Sequence, residues 1–209
     1  MVDQAQARTI TDEDLLAFGP KARAEVIAGE LVVDMTPNRG IHGRITMVIA
    51  NYLETFVLAR DLGRVFSEMT AFKLMVDEEG GIKGAVVPDA AYVSYERLPR
   101  EAALDVILQV APDIAVEVIS GSEAYQDVLK KTDEYLDHGV RQVWLLLPER
   151  REARVFAADN RAGVILTERD ELAGGEVLPG FVIPIRAIFS EDDAALRLET
   201  LRCLIQPEQ

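Results

Sequence analysis

A set of polar residues stands out at the ends of apolar strands: Asp89 after Pro88 in "VVPDAAYV", Glu117 between valines in "IAVEVIS", and Lys131 on the helix that follows, in "DVLKKTDEYLDHGV", with Asp127 one turn before it. An ionised carboxylate inside an apolar strand is costly unless it is paired or bound to a metal, so Glu117 demands a partner. Two acids on adjacent strands can share a hard divalent cation such as Mg²⁺, which takes oxygen ligands in octahedral geometry and keeps several waters. A lysine beside them can orient an attacking water, or offset charge that develops on a phosphoryl oxygen. A half-exposed strand, or a structural salt bridge from Glu117 to Lys131, accounts for the same pattern without a metal.

Strand alternation puts Ala115, Glu117 and Ile119 on one face and Ile114, Val116, Val118 and Ser120 on the other. Asp113, at the entrance of this strand, reads as a solvated turn residue. Other chemistries are poorly represented. The chain has no GxxxxGK[ST], GxGxxG or G-x-S-x-G motif, and its two histidines, His42 and His138, are too few for a histidine-rich metal centre. The single cysteine, Cys203, excludes an intrachain disulfide and reads as a small apolar filler. His138 suits a helical last turn, where the dipole favours a cation, and Trp144 reads as core.

The elements that must carry these residues follow from periodicity. Thr11 caps a short helix through "DEDLLAF", which Gly19-Pro20 ends. "AEVIAGELVVDM" predicts a hairpin about Ala28-Gly29, followed by a turn at Pro37, Asn38 and Gly40. From Ile41 the residues Ile45, Val48, Ile49, Tyr52, Leu53, Phe56 and Val57 recur at helical spacing, with Gly63 as the stop. "VFSEMTAFKLMV" reads as one strand, and "AVVPDAAYV" as its returning neighbour across a glycine-rich connection. Residues 94–111 form an irregular or briefly helical excursion. "DIAVEVIS", a helix capped by Ser122 and ended by Gly139, and "RQVWLLLP" compose a βαβ unit with parallel strands. "EARVFAA", "GVILTE", "EVLPGFVIPI" and "RAIF" read as further short strands.

These elements predict an α/β fold with a mixed central sheet. One domain spans residues 1–209, with a core at about 41–148, an N-terminal helix and hairpin at 11–36, and C-terminal strands at 152–190. At 209 residues and 49% apolar composition the chain can bury a substantial core. No apolar run approaches the roughly 18 residues of a membrane span, and the N-terminus lacks a signal-peptide layout, so the expectation is a soluble cytoplasmic protein with no membrane partner. The net charge of −14, from 22 basic and 36 acidic residues, argues against broad non-specific binding to nucleic acid while allowing a local basic groove.

In order, "AEVIAGELVVDMTP", a helix opening with His42, "VPDAAYV", "IAVEVIS" and "DVLKKTDEYLDHGVRQVWLLLPE" resemble the Uma2 family, also called DUF820, of the PD-(D/E)XK endonuclease superfamily. The resemblance covers about residues 11–190 and implies the restriction-endonuclease-like fold, with a mixed sheet flanked by helices. Pro88-Asp89 resembles the "PD" motif and Glu117 the acid of the next core strand. The superfamily lysine normally stands two residues after that acid, where this chain has Ile119. Family members carry it on the following helix in a D-x-x-x-K-x-x-x-Y-x-x-x-G-V pattern, which Asp127, Lys131, Tyr135, Gly139 and Val140 match.

The resemblance implies Mg²⁺ or Mn²⁺ on Asp89, Glu117 and the Val118 carbonyl. Lys131 would be the catalytic lysine, Glu25 an auxiliary acid and His42 a weaker candidate. DNA would be the substrate and a homodimer the working form. Two departures bear on geometry: Ser120-Gly121 where many relatives have Ser-Pro, and Leu147-Pro148 where many have Asp-Pro. A non-catalytic binding module on the same fold, and hydrolysis of a small phosphorylated metabolite, are the competing expectations.

Overall fold

The computed structural model describes residues 9–19, 22–35, 39–119, 125–190 and 193–206. Pro20, the Pro37-Asn38 part of the expected turn, the Ser120-Gly121 loop and the Ser122 cap lie outside them. The described strands form a six-stranded mixed sheet, a four-stranded antiparallel sheet and a two-stranded ribbon.

The six-stranded sheet has the order β10 (Asn160–Leu166), β9 (Glu152–Ala157), β8 (Gln142–Leu147), β7 (Ile114–Val118), β6 (Ala90–Ser94), β3 (Gly63–Ser67). Its β7 and β8 run parallel, with Glu117 opposite Leu145, and α3 (Tyr125–Asp137) crosses between them. Parallel neighbours cannot be joined by a tight turn, so the βαβ unit forms as its apolar spacing requires. Gly139 follows α3 at φ 94°, a conformation that suits a glycine stop.

The α2 helix (Gly40–Arg60) buries Ile45, Val48, Ile49, Tyr52, Leu53, Phe56 and Val57 against the face of the sheet that presents Ile114, Val116 and Val118. The opposite face, with Ala115, Val143 and Leu145, packs on Val128, Tyr135 and Leu136 of α3. Trp144 is core, stacked 5.6 Å from the Phe181 ring. Asp61, at φ 57°, ends α2, where the sequence places the stop at Gly63. Gly63 instead opens β3 and lies against β6, where a Cβ would come within 2.2 Å of the Val93 carbonyl oxygen.

The run expected as one strand from Val65 to Val76 divides between the two sheets. β3 stays beside β6, the chain turns through Met69 at φ 72°, and β4 (Phe72–Val76) joins β5 (Ile82–Val86) in the four-stranded sheet. That sheet has the order β2 (Glu30–Asp34), β1 (Arg23–Ile27), β5, β4. The β1–β2 hairpin turns on Ala28 and Gly29, both at positive φ, as the sequence predicts. "AVVPDAAYV" divides in the same way, into β5 and β6. Pro88 has no N–H to continue a ladder, and pairing resumes when the Asp89 N–H donates to Val116 O at 3.0 Å.

Short α1 (Asp12–Leu16) seats Leu15 against Ala24, Val26, Ile82 and Ala85. At the C-terminal end, β11 (Glu171–Ala173) pairs with β12 (Val182–Pro184). "RAIF", expected as strand, lies in the short helix α4 (Ile185–Phe189), where Ile185, Ala187, Ile188 and Phe189 are all buried, so burial follows neither period cleanly. A helix that the sequence reading omits, α5 (Ala194–Ile205), follows it, with the Asp193 side chain accepting the Leu196 N–H at 2.9 Å. Only Thr200 and Leu204 of α5 are buried, so its apolar pattern is faint, and Cys203 is exposed rather than packed. Among the described residues no helix is long and apolar enough to cross a membrane.

The contact at Gly63 yields a direct test. Replacing it with alanine forces the β3 and β6 backbones apart, and urea unfolding should record a loss of about 1–3 kcal/mol. An unchanged midpoint would show that the strands tolerate the extra carbon.

Candidate metal and catalytic site

β7 determines where Glu117 points. Its valines and isoleucine turn toward α2, so Glu117, one residue out of phase, turns toward α3. There it meets Lys131 and Tyr135, which share a face of α3 one turn apart. Lys131 Nζ lies 2.9 Å from Glu117 Oε1, and the Tyr135 hydroxyl donates to the same oxygen at 2.5 Å. β1 contributes Glu25, whose Oε1 is 2.9 Å from Lys131 Nζ and accepts the Val87 N–H at 2.7 Å. Lys131 therefore bridges two buried carboxylates from two different sheets.

Asp89 is 1% exposed and is bonded on both sides. Its Oδ2 accepts the Val118 N–H at 2.7 Å and lies 3.1 Å from His42 Nε2 on the first turn of α2. Its Oδ1 accepts a hydrogen bond from the Arg23 guanidinium. The same guanidinium lies 3.8 Å from Glu117 Oε2. Arg23 thus stands between the two acids that the sequence reading assigns to a shared cation. The described contact of Val118 with this cluster is through its N–H.

A second feature opens on the other side of Asp89. His42, Glu68 and Asp89 each offer a ligand atom, all within 4.8 Å of one another, and this group can hold a metal ion. His42 and Asp89 are buried while Glu68 is exposed. His42 Nδ1 is buried without a hydrogen-bond partner among the described residues, so the ring is not locked by a second contact. Beside Glu68 an open groove of about 530 Å³ runs along α2 and β3, lined by Gly43, Thr46, Met47 and Ser67.

Burial and charge pull the acids apart in acidity. Burial works to raise Asp89, but the His42 hydrogen bond and the Arg23 charge outweigh it and hold the carboxyl at about 2. Burial pushes Glu117 up to about 6, with Lys131 opposing and Asp89 assisting. Burial disfavours the Lys131 ammonium, yet Glu117 and Glu25 hold its acidity below that of an ordinary lysine. His42 is held above its usual value because the Asp89 contact outweighs burial.

The structure brings Asp89, Glu117, Lys131 and Glu25 into one cluster, joined by His42. Asp127 does not enter it: it is exposed and pairs with Lys130 at 3.1 Å. His138 lies beside Glu134, at 2.8 Å from its carbonyl oxygen. Asp113, read as a solvated turn residue, is 1% exposed. It accepts the Ser94 N–H at 2.8 Å and lies 3.1 Å from Arg97 Nε, tying β6 to the start of β7. Two participants were not named from the sequence. Arg23 is two residues before Glu25 on a strand and so shares its face, a signal that was available. Glu68 sits in the irregular link between β3 and β4, where no periodicity marks it.

The acidity of Glu117 has a consequence for stability. Its folded value lies above the ordinary 4.5, so its contribution is fully present below about 4.5 and is lost as pH rises through about 6. In metal-free buffer, wild type should lose about 2 kcal/mol relative to Glu117→Gln across that window, read by urea unfolding at stepped pH. A difference that does not change with pH would contradict the buried-charge account.

Among solved structures, the chain is similar to "a putative nuclease belonging to DUF820" from Anabaena variabilis ATCC 29413. The TM-score is 0.72 at 21% identity, over 87% of this chain and 98% of that one, a likeness of fold. No curated protein matches. The Uma2 family model, described as "Putative restriction endonuclease", matches residues 12–186, a span that holds Arg23, Glu25, His42, Glu68, Asp89, Glu117 and Lys131 together, and the chain belongs to that family.

Proposed function

We propose that this protein hydrolyses DNA phosphodiester bonds with a divalent ion, Mg²⁺ or Mn²⁺, anchored on Asp89. The observation that carries the reading is the convergence on one buried aspartate of ligand-bearing side chains on both flanks, beside a lysine held charged against two acids. The donor set fits such an ion. Asp89 and Glu68 offer carboxylate oxygens, and His42 offers a nitrogen beside them. On the other flank stands Glu117, which the superfamily resemblance implies as a ligand together with the Val118 carbonyl. When bound, the ion would polarise a phosphoryl oxygen and make its bound water more acidic.

The chain's own residues supply the rest. Lys131 is too weakly acidic, with Glu25 and Glu117 against it, to act as a proton acceptor at neutral pH. Its role is to donate hydrogen bonds and to offset negative charge developing on the phosphoryl group. Glu25 is a positioning residue, since it fixes Lys131 while its own oxygen is held by the Val87 N–H. Tyr135 does the same for Glu117. A net charge of −14 makes the approach of DNA depend on local cations, and Arg39, the residue before α2, and Arg44 within it lie on either side of His42 in the sequence. Two copies acting together would address both strands of a duplex.

The test is nicking of supercoiled plasmid with Mn²⁺ or Mg²⁺, with a phosphomonoester assayed in parallel. Cleavage should vanish in chelator and fall by about a hundredfold or more in Asp89→Asn and Lys131→Met, with folding checked by circular dichroism. Cleavage that survives both substitutions sinks the assignment. Turnover of the phosphomonoester alone would move the substrate to a small phosphorylated metabolite.

A further inference from the structure

Asp89 has two flanks, and they differ in what already occupies them. On the Oδ1 flank the Arg23 guanidinium bonds Asp89 and lies 3.8 Å from Glu117 Oε2. On the other flank, Oδ2 accepts the Val118 N–H and faces His42, and exposed Glu68 converges with them beside an open groove. We infer that Arg23 is a resident second cation of the site, holding the space between Asp89 and Glu117 so that a single divalent ion enters on the His42–Glu68 side. This inference rests on the metal-dependent reading above and specifies which of Asp89's neighbours share the ion.

Three observations support it. Arg23 lies on β1, paired along its length with β2, and its side chain is only 18% exposed, so it is built into the cluster rather than draped over it. A guanidinium is always charged and presents a planar fork of donors, which suits a permanent place between carboxylates better than a flexible ammonium does. Charge balance agrees. With His42 neutral, as a ligand must be, Glu25, Glu68, Asp89 and Glu117 stand against Arg23 and Lys131, four negative charges to two positive, and one divalent ion closes the difference. Without Arg23 the excess grows to three, and the vacated space faces Asp89 Oδ1 and Glu117 Oε2, a pair of hard oxygen ligands.

The experiment counts bound Mn²⁺ on the full chain by calorimetry and by electron paramagnetic resonance, with no DNA present. Wild type should bind one ion per chain, lost in His42→Ala and in Glu68→Gln and retained in Glu117→Gln. Arg23→Met should gain a second ion, and the double variant Arg23→Met with Glu117→Gln should lose it again. Should Arg23→Met fail to fold, wild type still decides the matter. With Mg²⁺ added to saturation, the Arg23 guanidinium protons followed by ¹⁵N-edited NMR should keep their slow solvent exchange.

A wild-type ion that disappears in Glu117→Gln, or Arg23 protons released by Mg²⁺, would show that the metal displaces the arginine and overturn the inference, while leaving the nuclease reading standing. Arg23→Met that folds without gaining an ion overturns it as well. A wild-type chain that binds no Mn²⁺ overturns both.

Discussion

Glu117 is an ionisable acid placed in the middle of a packed strand, and most of the site can be understood as the answer to that placement. The cost of removing a carboxylate from water exceeds what any one weak contact returns, so the group must be surrounded. Lys131 and Tyr135 take one oxygen, and Arg23 faces the other. Each neighbour has the same problem in turn. Lys131 requires Glu25, Arg23 requires Asp89, and Asp89 requires the Val118 N–H and His42. The outcome is a closed network in which no member is buried alone. Replacing buried ion pairs by an apolar cluster of similar volume is often neutral or stabilising, so such a network is weak evidence for a stabilising role.

The network can close only because the chain changes sheets. β1 and β5 belong to the four-stranded sheet and β6 and β7 to the six-stranded one, yet Arg23 and Glu25 reach Asp89 and Glu117 across the junction. Pro88 marks that junction. It interrupts the ladder after β5, and Asp89 is the next residue, held by the Asp89 N–H to Val116 and by the Val118 N–H to its own carboxylate. The two α-helices that reach the site approach from opposite faces of the large sheet. α2 brings His42 to Asp89 and α3 brings Lys131 and Tyr135 to Glu117. Neither helix could supply both.

Legibility followed the strength of local signals. The α2 helix and the β7–α3–β8 unit were readable because many apolar residues repeat at one spacing in each. Glu117 and Lys131 stood out as polar members against that background, Asp89 stood out as the residue after Pro88, and the three lie in one cluster. Glu25 came from the family resemblance. The long run from Val65 to Val76 was misread because each half is a good strand, and nothing local says that Met69 turns the chain into a different sheet. "RAIF" was misread because four or five residues cannot distinguish two periodicities. Asp113 was misread because its partners Arg97 and Arg141 come from other elements.

The amino-acid sequence by itself determined which residues could not be left unpartnered, and which strand and helix carried them, because burial periodicity and side-chain chemistry are local properties. It also carried the order of motifs that defines the family. Only the tertiary structure decided who the partners are. Arg23 and Glu68 are separated from Asp89 by long stretches of chain, and their meeting depends on where two sheets join. That junction also divides the surroundings of Asp89 into a flank occupied by a guanidinium and a flank open to a groove. Electrostatic energy depends on distance in space, and spacing along the chain does not encode it when the groups come from different sheets.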